Sequence, residues 1–123
     1  MKLNPDCIRD ILLKLEETTD GRGEYMFDES DLESLNLKYT PTELLYHLKQ
    51  CLDSGFIQGR NRGSCISVRD LTPAGHAFLA DIRNDNNWNK TKEIATKVGA
   101  FSLNALKDIA VGVVSAGITA SLK

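Results

Sequence analysis

Two arginines, Arg60 and Arg62, flank Asn61 in a short segment bounded by Gly59 and Gly63. Polar residues between glycines are typical of an exposed turn. Arginine guanidinium groups bind phosphate oxygens, and a single arginine can enter a narrow minor groove of DNA. The segment therefore predicts a nucleic-acid contact, and the alternative is an ordinary solvated turn.

A second set of polar residues has helical spacing within the segment 41–54. Its leucines cluster on one side of a helical wheel, which predicts that this side faces a core. The candidate DNA contacts lie on the opposite side and at its margins: Thr42, Tyr46, His47, Lys49 and Gln50. Glutamine matches the adenine edge in a major groove, whereas Glu43 and Asp53 on the same helix would repel phosphates. An alternative is a protein interface, in which the neighbouring Tyr46 and His47 would act as anchors.

Residues suited to catalysis or metal binding are few. Glu43 and His47 lie one helical turn apart and offer two metal ligands at most, and His76 has no second ligand at a suitable spacing. The sequence contains no nucleophile elbow and no glycine-rich phosphate loop after a strand. We therefore expect no enzymatic activity, no catalytic residue, no metal site and no cofactor.

Cysteine usage and charge indicate the compartment and the class of partner. The three cysteines are scattered and form no Cys-x-x-Cys pair: Cys7, Cys51 and Cys65. This pattern predicts free thiols in a reducing compartment, and the N-terminus lacks the apolar segment of a secretory signal, so we expect a cytoplasmic protein. The net charge is −2, and residues 1–40 alone carry ten acidic and five basic residues. Because nucleic-acid-binding domains usually have a basic face, this balance weakens the prediction of DNA binding.

The three prolines predict where helices begin. Each follows an asparagine or a threonine, at Asn4-Pro5, Thr40-Pro41 and Thr72-Pro73. Proline suits the first helical position, and the preceding side chain accepts hydrogen bonds from the first-turn amides. Glu43 would complete a capping box with Thr40. The pattern predicts helices over about residues 5–18 and 41–54, and another that begins at Pro73.

The segments between these helices are shorter. Residues 56–58 and 65–68 are apolar enough to form two strands of a β-hairpin, with the arginine segment as its tip. Residues 28–39 leave two alternatives open. A capping box at Ser30–Glu33 favours a short helix that ends near Asn36, whereas the alternation of Leu35, Leu37 and Tyr39 favours a short strand.

The order helix, short element, helix, hairpin, helix is that of a winged helix-turn-helix domain. The segment 44–57 resembles a recognition helix that continues into the first wing strand, and residues 71–76 resemble the Leu-Thr-x-x-Gly that follows the wing. Five segments are similar to an uncharacterised winged-helix family common in temperate phages and prophages of Gram-positive bacteria: residues 46–49, 71–79, 82–85, 88–92 and 101–103. The resemblance implies a phage-related, cytoplasmic protein of winged-helix fold. It implies no function, since the family has none assigned.

The chain changes character after residue 84. A helix that ends near Gly99 and another that begins after Ser102 are predicted, and Trp88 is expected to dock them on the core. No charged residue occurs from Ile109 to Leu122, a run of 14 residues, whereas a membrane-spanning helix needs ~20. A helix that is apolar on most sides must bury that surface against another element, which predicts self-association. The predicted contact is a face with small residues at four-residue spacing: Ile109, Gly112, Val113, Ala116 and Ala120. The alternative is a tail that packs on the domain or frays.

Together these patterns predict a mainly α-helical protein with a small β-hairpin. A winged helix-turn-helix domain would occupy residues 1–84, and a C-terminal helical arm would occupy residues 85–123. The leading hypothesis is a phage-type protein that binds double-stranded DNA in transcriptional control or an accessory step, as a homo-oligomer and away from membranes. The second hypothesis is a protein-interaction module that uses the same shape to bind a host or phage protein without DNA.

Overall fold

A computed structural model describes residues 1–122, which form six helices and three strands. In chain order the elements are α1 (Pro5–Thr18), β1 (Tyr25–Phe27), α2 (Glu29–Ser34), α3 (Pro41–Asp53), β2 (Ile57–Asn61), β3 (Ile66–Leu71), α4 (Pro73–Ile82), α5 (Asp85–Val98) and α6 (Leu103–Ser121). The predicted mainly helical class is confirmed. The sheet has three strands in place of the two strands of the predicted hairpin, because β1 joins it.

Local hydrogen bonds explain where the proline-led helices begin. The side chains of Asn4, Thr40 and Thr72 each accept a hydrogen bond from an amide in the first turn, and proline occupies the first helical position. The Glu43 carboxylate also accepts from the Thr40 amide, which closes the predicted capping box. The three helix starts predicted from the prolines are therefore confirmed.

Residues 28–39 contain a helix, but its cap is not the predicted one. The Asp28 side chain accepts from the amide of Asp31, and the Asp31 carboxylate accepts from the Asp28 amide, so the N-cap lies two residues before the predicted Ser30. Asn36 ends this segment in the left-handed region with a φ of 56°. Residues 35–40 form no strand, and the strand alternative is wrong.

The strands form an antiparallel sheet in the order β1-β3-β2, with the last strand in the middle. Met26 lies opposite Ser67 on one side, and Arg60 lies opposite Ser67 on the other. A bulge shifts the register between Gln58 and Gly59, where a Cβ on the glycine would lie 1.9 Å from the Ser67 carbonyl oxygen. Gly59 is therefore required by a close backbone approach inside β2.

One hydrophobic core connects the helices and the sheet. It includes Leu12 of α1, Leu48 of α3, Ile66 of β3 and Leu79 of α4, and it extends to Leu106 of α6. The C-terminal helices thus share a core with the N-terminal elements. The division of the chain into two units at residue 84 stays a prediction.

Polar contacts also fasten α5 to α1. Asp6 Oδ1 accepts a hydrogen bond of 2.8 Å from Trp88 Nε1 and one of 2.9 Å from Lys92 Nζ. Arg9 forms an ion pair of 2.8 Å with Asp85 at the start of α5. Trp88 is only 2% exposed, which confirms the prediction that it docks this part of the chain on the core.

Candidate functional site

The hairpin of residues 57–71 positions the predicted arginine segment. β2 continues to Asn61, so the turn comprises only residues 62–65. The Arg62 amide donates to the Cys65 carbonyl at 3.0 Å, and the Gly63 amide donates to the Asn61 side chain at 2.9 Å. The prediction that Arg60 and Asn61 belong to the turn is wrong, because Gly59 serves a bulge and Gly63, with a φ of 86°, serves the turn.

Both arginines of the hairpin stay at the surface, and both face Glu24. The side chains of Arg60 and Arg62 are 71% and 45% exposed. Glu24 Oε1 lies 3.7 Å from Arg60 Nε, and Glu24 Oε2 lies 3.7 Å from Arg62 Nη2. The structure therefore brings the two predicted arginines together, but it places an acidic residue between them.

The exposed side of α3 carries four of the five predicted DNA contacts. One is exposed and three are half-buried: Thr42, then Tyr46, Lys49 and Gln50. Their spacing places them along one side of the helix. The helix contains one basic residue, Lys49, and two acidic residues, Glu43 and Asp53, so α3 has a net charge of −1 with neutral histidine. The helix offers polar groups for recognition and little electrostatic attraction.

His47 does not belong to that surface. It is 1% exposed, its Nε2 accepts a 2.8 Å hydrogen bond from the Asn4 amide, and its Nδ1 donates to the Glu43 carbonyl at 2.7 Å. The chain that leads into α1 covers this margin of α3. The prediction of His47 as a DNA contact or an interface anchor is therefore wrong.

Acidic residues of the α2 region border the tip of the hairpin. A cleft of about 490 Å³ is lined by Ser64 of the hairpin and by Asp28, Glu29 and Glu33. The backbone amide of Asp31 donates to Asp28 and lowers the pKa of its carboxyl below the ordinary value of 3.8. This side of the molecule thus combines two arginines with several carboxylates.

The residues predicted to mediate self-association line one groove between α5 and α6. The groove has a volume of about 480 Å³, and all five predicted residues line it: Ile109, Gly112, Val113, Ala116 and Ala120. Lys90 and Ile94 of α5 also line it. Leu106 near the start of α6 is buried, whereas Val111 and Ile118 are 49% and 57% exposed. The second half of α6 therefore presents apolar surface that residues 1–122 leave uncovered.

α6 is also the one helix within residues 1–122 that is long and apolar enough to cross a membrane by length and composition. It has 19 residues and a mean hydropathy of 1.3 over its most apolar window, of which 17% is buried. Core helices of soluble proteins meet the same criteria, so this is weak support for a membrane span.

Groups for metal binding do not converge in the part of the chain that the structure describes: no three His, Cys, Asp or Glu side chains there are placed so that they could hold a metal ion. His76 Nε2 lies 3.6 Å from Asp70 Oδ1, and these two side chains alone would give a metal only two ligands.

Two of the cysteines are buried thiols. Burial raises the pKa of the Cys7 thiol to about 12, and it raises the pKa of Cys51 as well. These two thiols stay protonated at neutral pH and act as small apolar groups.

Comparison with known proteins identifies the family. The model of a family described as "Hypothetical protein (DUF2513)" matches residues 2–102. The chain belongs to the DUF2513 family. It is similar to an "Uncharacterized protein" of Haemophilus influenzae, with 36% identity over 123 aligned residues that cover 94% of this chain and 97% of the relative. No solved structure matches the chain.

The DUF2513 match includes the hairpin, α3 and Glu24, and it ends immediately before α6. Within this DUF2513 protein, Glu24 is the residue at the candidate site that no sequence pattern predicted. The one available signal was its place directly before the aromatic pair of Tyr25 and Phe27. That signal is weak, since a strand of three residues shows almost no alternation.

Proposed function

We propose that this DUF2513 protein is a winged-helix domain that binds double-stranded DNA, with the hairpin of residues 57–71 as the wing. The order α1-β1-α2-α3-β2-β3, with β3 between the other two strands, supports the winged helix-turn-helix assignment. In such a domain α3 is the recognition helix. The observation that carries the proposal is the position of Arg60 and Arg62, two exposed guanidinium groups on the hairpin that directly follows α3.

The two surfaces would have different roles on a duplex. Arg60 and Arg62 would contact phosphates or enter a minor groove, which sets affinity and position. Thr42, Lys49 and Gln50 of α3 would face base edges in the major groove, with Tyr46 beside them. Because α3 has a net charge of −1, most of the electrostatic attraction would come from the wing.

A salt titration of duplex binding tests this proposal. A labelled 20-base-pair duplex of mixed sequence is titrated with the protein from about 20 mM to 200 mM salt, and affinity is expected to fall steeply. The Arg60→Gln/Arg62→Gln variant is expected to bind more weakly and to flatten the log–log salt slope by about 2, since each phosphate contact contributes about 0.9.

A matched control removes two positive charges elsewhere. Lys14→Gln/Lys97→Gln neutralises one lysine of α1 and one of α5, each of which pairs with a glutamate on its own helix. This variant is expected to keep nearly the full salt slope. An equal loss in both double variants would contradict a role of the hairpin, and absence of duplex binding at the lowest salt would contradict DNA binding altogether.

The acidic border of the hairpin supports a second candidate function. Asp28, Glu29 and Glu33 lie across a cleft from Ser64, at the tip that would approach a phosphate backbone. Such carboxylates repel DNA and suit a basic surface on a host or phage protein. This candidate predicts no duplex binding at any salt concentration, so the same titration separates the two functions.

We also propose that the protein forms a homodimer through the α5–α6 groove. From Ile109 to Ser121 the helix is ~20 Å long, and its uncovered side continues with Ile94 and Val98 of α5, which are 39% and 64% exposed. The small residues Gly112, Ala116 and Ala120 would let a second α6 approach closely and extend the contact.

Two further parts of the proposal rest on the sequence resemblance. These are the association with phages and prophages, including those of Gram-positive bacteria, and a role in transcriptional control or an accessory step. A cytoplasmic location follows from the same resemblance and from the cysteine pattern.

A further inference from the structure

Glu24 occupies the space between the two arginines of the hairpin. Each of its carboxylate oxygens faces a different guanidinium group at 3.7 Å. The Glu24 side chain is 35% exposed, less than that of either arginine. One acidic residue therefore sits against both groups that the proposed function assigns to DNA phosphates.

The sheet explains why Glu24 can reach both arginines. Arg60 lies opposite Ser67, and Ser67 lies opposite Met26, so these three side chains share one face of the sheet. Glu24 precedes Met26 by two residues, and the alternation of a strand places it on the same face. The side chains of Glu24, beside β1, and Arg60, on β2, thus approach each other over the central strand β3. Ser67 on that face is fully buried.

The chemistry of Glu24 matches that of a DNA phosphate. A carboxylate and a phosphodiester both present anionic oxygens to the fork of N–H donors on a guanidinium group. At 3.7 Å the oxygens of Glu24 lie beyond hydrogen-bond length. They attract the two guanidinium groups electrostatically but accept no hydrogen bond from the arginine N–H groups. A phosphate oxygen that approaches to about 2.9 Å would form the charge-assisted bonds that Glu24 does not form.

We propose that Glu24 is an intramolecular competitor of DNA phosphate at Arg60 and Arg62. This inference rests on the proposed function. Without DNA, Glu24 holds the two arginines side by side on the hairpin and neutralises part of their charge. On binding, a phosphate displaces the carboxylate from at least one arginine. Glu24 therefore lowers the affinity of Arg60 and Arg62 for phosphate, whether it belongs to a duplex or is free in solution.

Substitution of Glu24 tests the competition. Glu24→Gln keeps the size of the side chain and removes its charge. It is expected to tighten binding of a mixed-sequence duplex at low salt by about two- to tenfold, which lies within the range expected for two exposed ion pairs. Glu29→Gln is the matched control, since it removes an acid that also borders the hairpin tip but forms no ion pair within residues 1–122. Its effect is expected to be smaller.

A double-variant cycle identifies the partners. In the Arg60→Gln/Arg62→Gln background, the gain from Glu24→Gln is expected to fall to that from Glu29→Gln. The competitor role is overturned if the wild-type protein binds duplex and Glu24→Gln binds no more tightly than Glu29→Gln. It is also overturned if the gain persists without the arginines, because the effect is then one of net charge.

A second measurement separates this inference from the proposed function. Inorganic phosphate is titrated into the full chain while the Nε–Hε NMR signals of Arg60 and Arg62 are followed. These signals are expected to shift at a severalfold lower phosphate concentration in Glu24→Gln than in the wild-type protein. If duplex binding is absent and this difference remains, DNA binding is wrong while the competition stands. Equal midpoints would overturn the competition.

Discussion

The amide of Asn4 donates a 2.8 Å hydrogen bond to Nε2 of His47, across 43 residues of sequence. The same Asn4 caps α1 with its side chain, which accepts from the Asp6 amide at 3.0 Å. An imidazole that accepts at Nε2 and donates from Nδ1 to the Glu43 carbonyl uses both of its nitrogens inside the fold. His47 therefore joins the beginning of α1 to the first turns of α3, and its role is structural.

Replacement of His47 is expected to destabilise the fold. His47→Ala leaves the Asn4 amide without its acceptor and opens a cavity beside α3, which together cost about 3 kcal/mol of unfolding free energy. Urea unfolding measures the loss. The control is Gln50→Ala on the outer side of the same helix, for which a change below about 0.5 kcal/mol is expected. A His47→Ala protein with normal stability and lost duplex binding would instead return His47 to the DNA-contacting surface.

The position of His47 shows the limit of a helical wheel. On the wheel the leucines of α3 mark the side that faces the core, and His47 lies at the margin of that side. The burial of His47 depends on Asn4, which lies far away in sequence and does not appear on the wheel. The helix starts were predictable for the opposite reason. The side chains of Thr40 and Glu43 each accept a hydrogen bond from the other residue's amide within a single turn. The capping box can therefore be predicted from four consecutive residues.

The strand β1 and the contact of Glu24 with the two arginines could not be predicted from the sequence for a related reason. Tyr25, Met26 and Phe27 are too few to show a strand period, and they are ordered by pairing with β3 much later in the chain. Only that pairing brings Glu24 against Arg60 and Arg62. The groove residues of α6 were predictable because a face repeated at intervals of three and four follows from helix geometry alone.

The ion pair that docks α5 on α1 predicts a dependence of stability on pH. Burial raises the pKa of Asp6, but the hydrogen bonds from Lys92 and Trp88 and the positive charges of Lys92 and Lys38 together lower it by more, and it lies below its ordinary value of 3.8. A lowered pKa in the folded state stabilises the fold above the unfolded-state pKa, and this contribution is lost as pH falls through the folded-state value. The unfolding free energy is therefore expected to decrease as the pH falls below about 4.

Asp6→Asn is expected to weaken this acid response and to cost about 1 kcal/mol at pH 7, since the amide oxygen still accepts from Trp88 but no longer pairs with Lys92. Fluorescence of Trp88, the sole tryptophan, follows unfolding at each pH. Lys92→Gln removes the same ion pair from the other partner and is expected to weaken the response as well. Identical pH profiles for the wild-type protein and Asp6→Asn would show that this pair does not contribute.

Self-association through the groove can be separated from association through any other side of α6. Ala116 lines the groove, whereas the neighbouring Ser115 is exposed and does not line it. Ala116→Glu would place a charge in the proposed interface, where an unpaired buried carboxylate is strongly disfavoured, and the dimer is expected to weaken at least tenfold. Ser115→Glu adds the same charge on the same turn and is expected to leave the dimer intact.

Light scattering of the full chain over a range of concentrations gives the mass of each variant. A wild-type protein that stays monomeric at about 100 μM, far above the dissociation constant of a specific dimer, would contradict the dimer. Loss of the dimer in Ser115→Glu alone would move the interface to the side of α6 that carries Val111 and Ile118, which are themselves exposed.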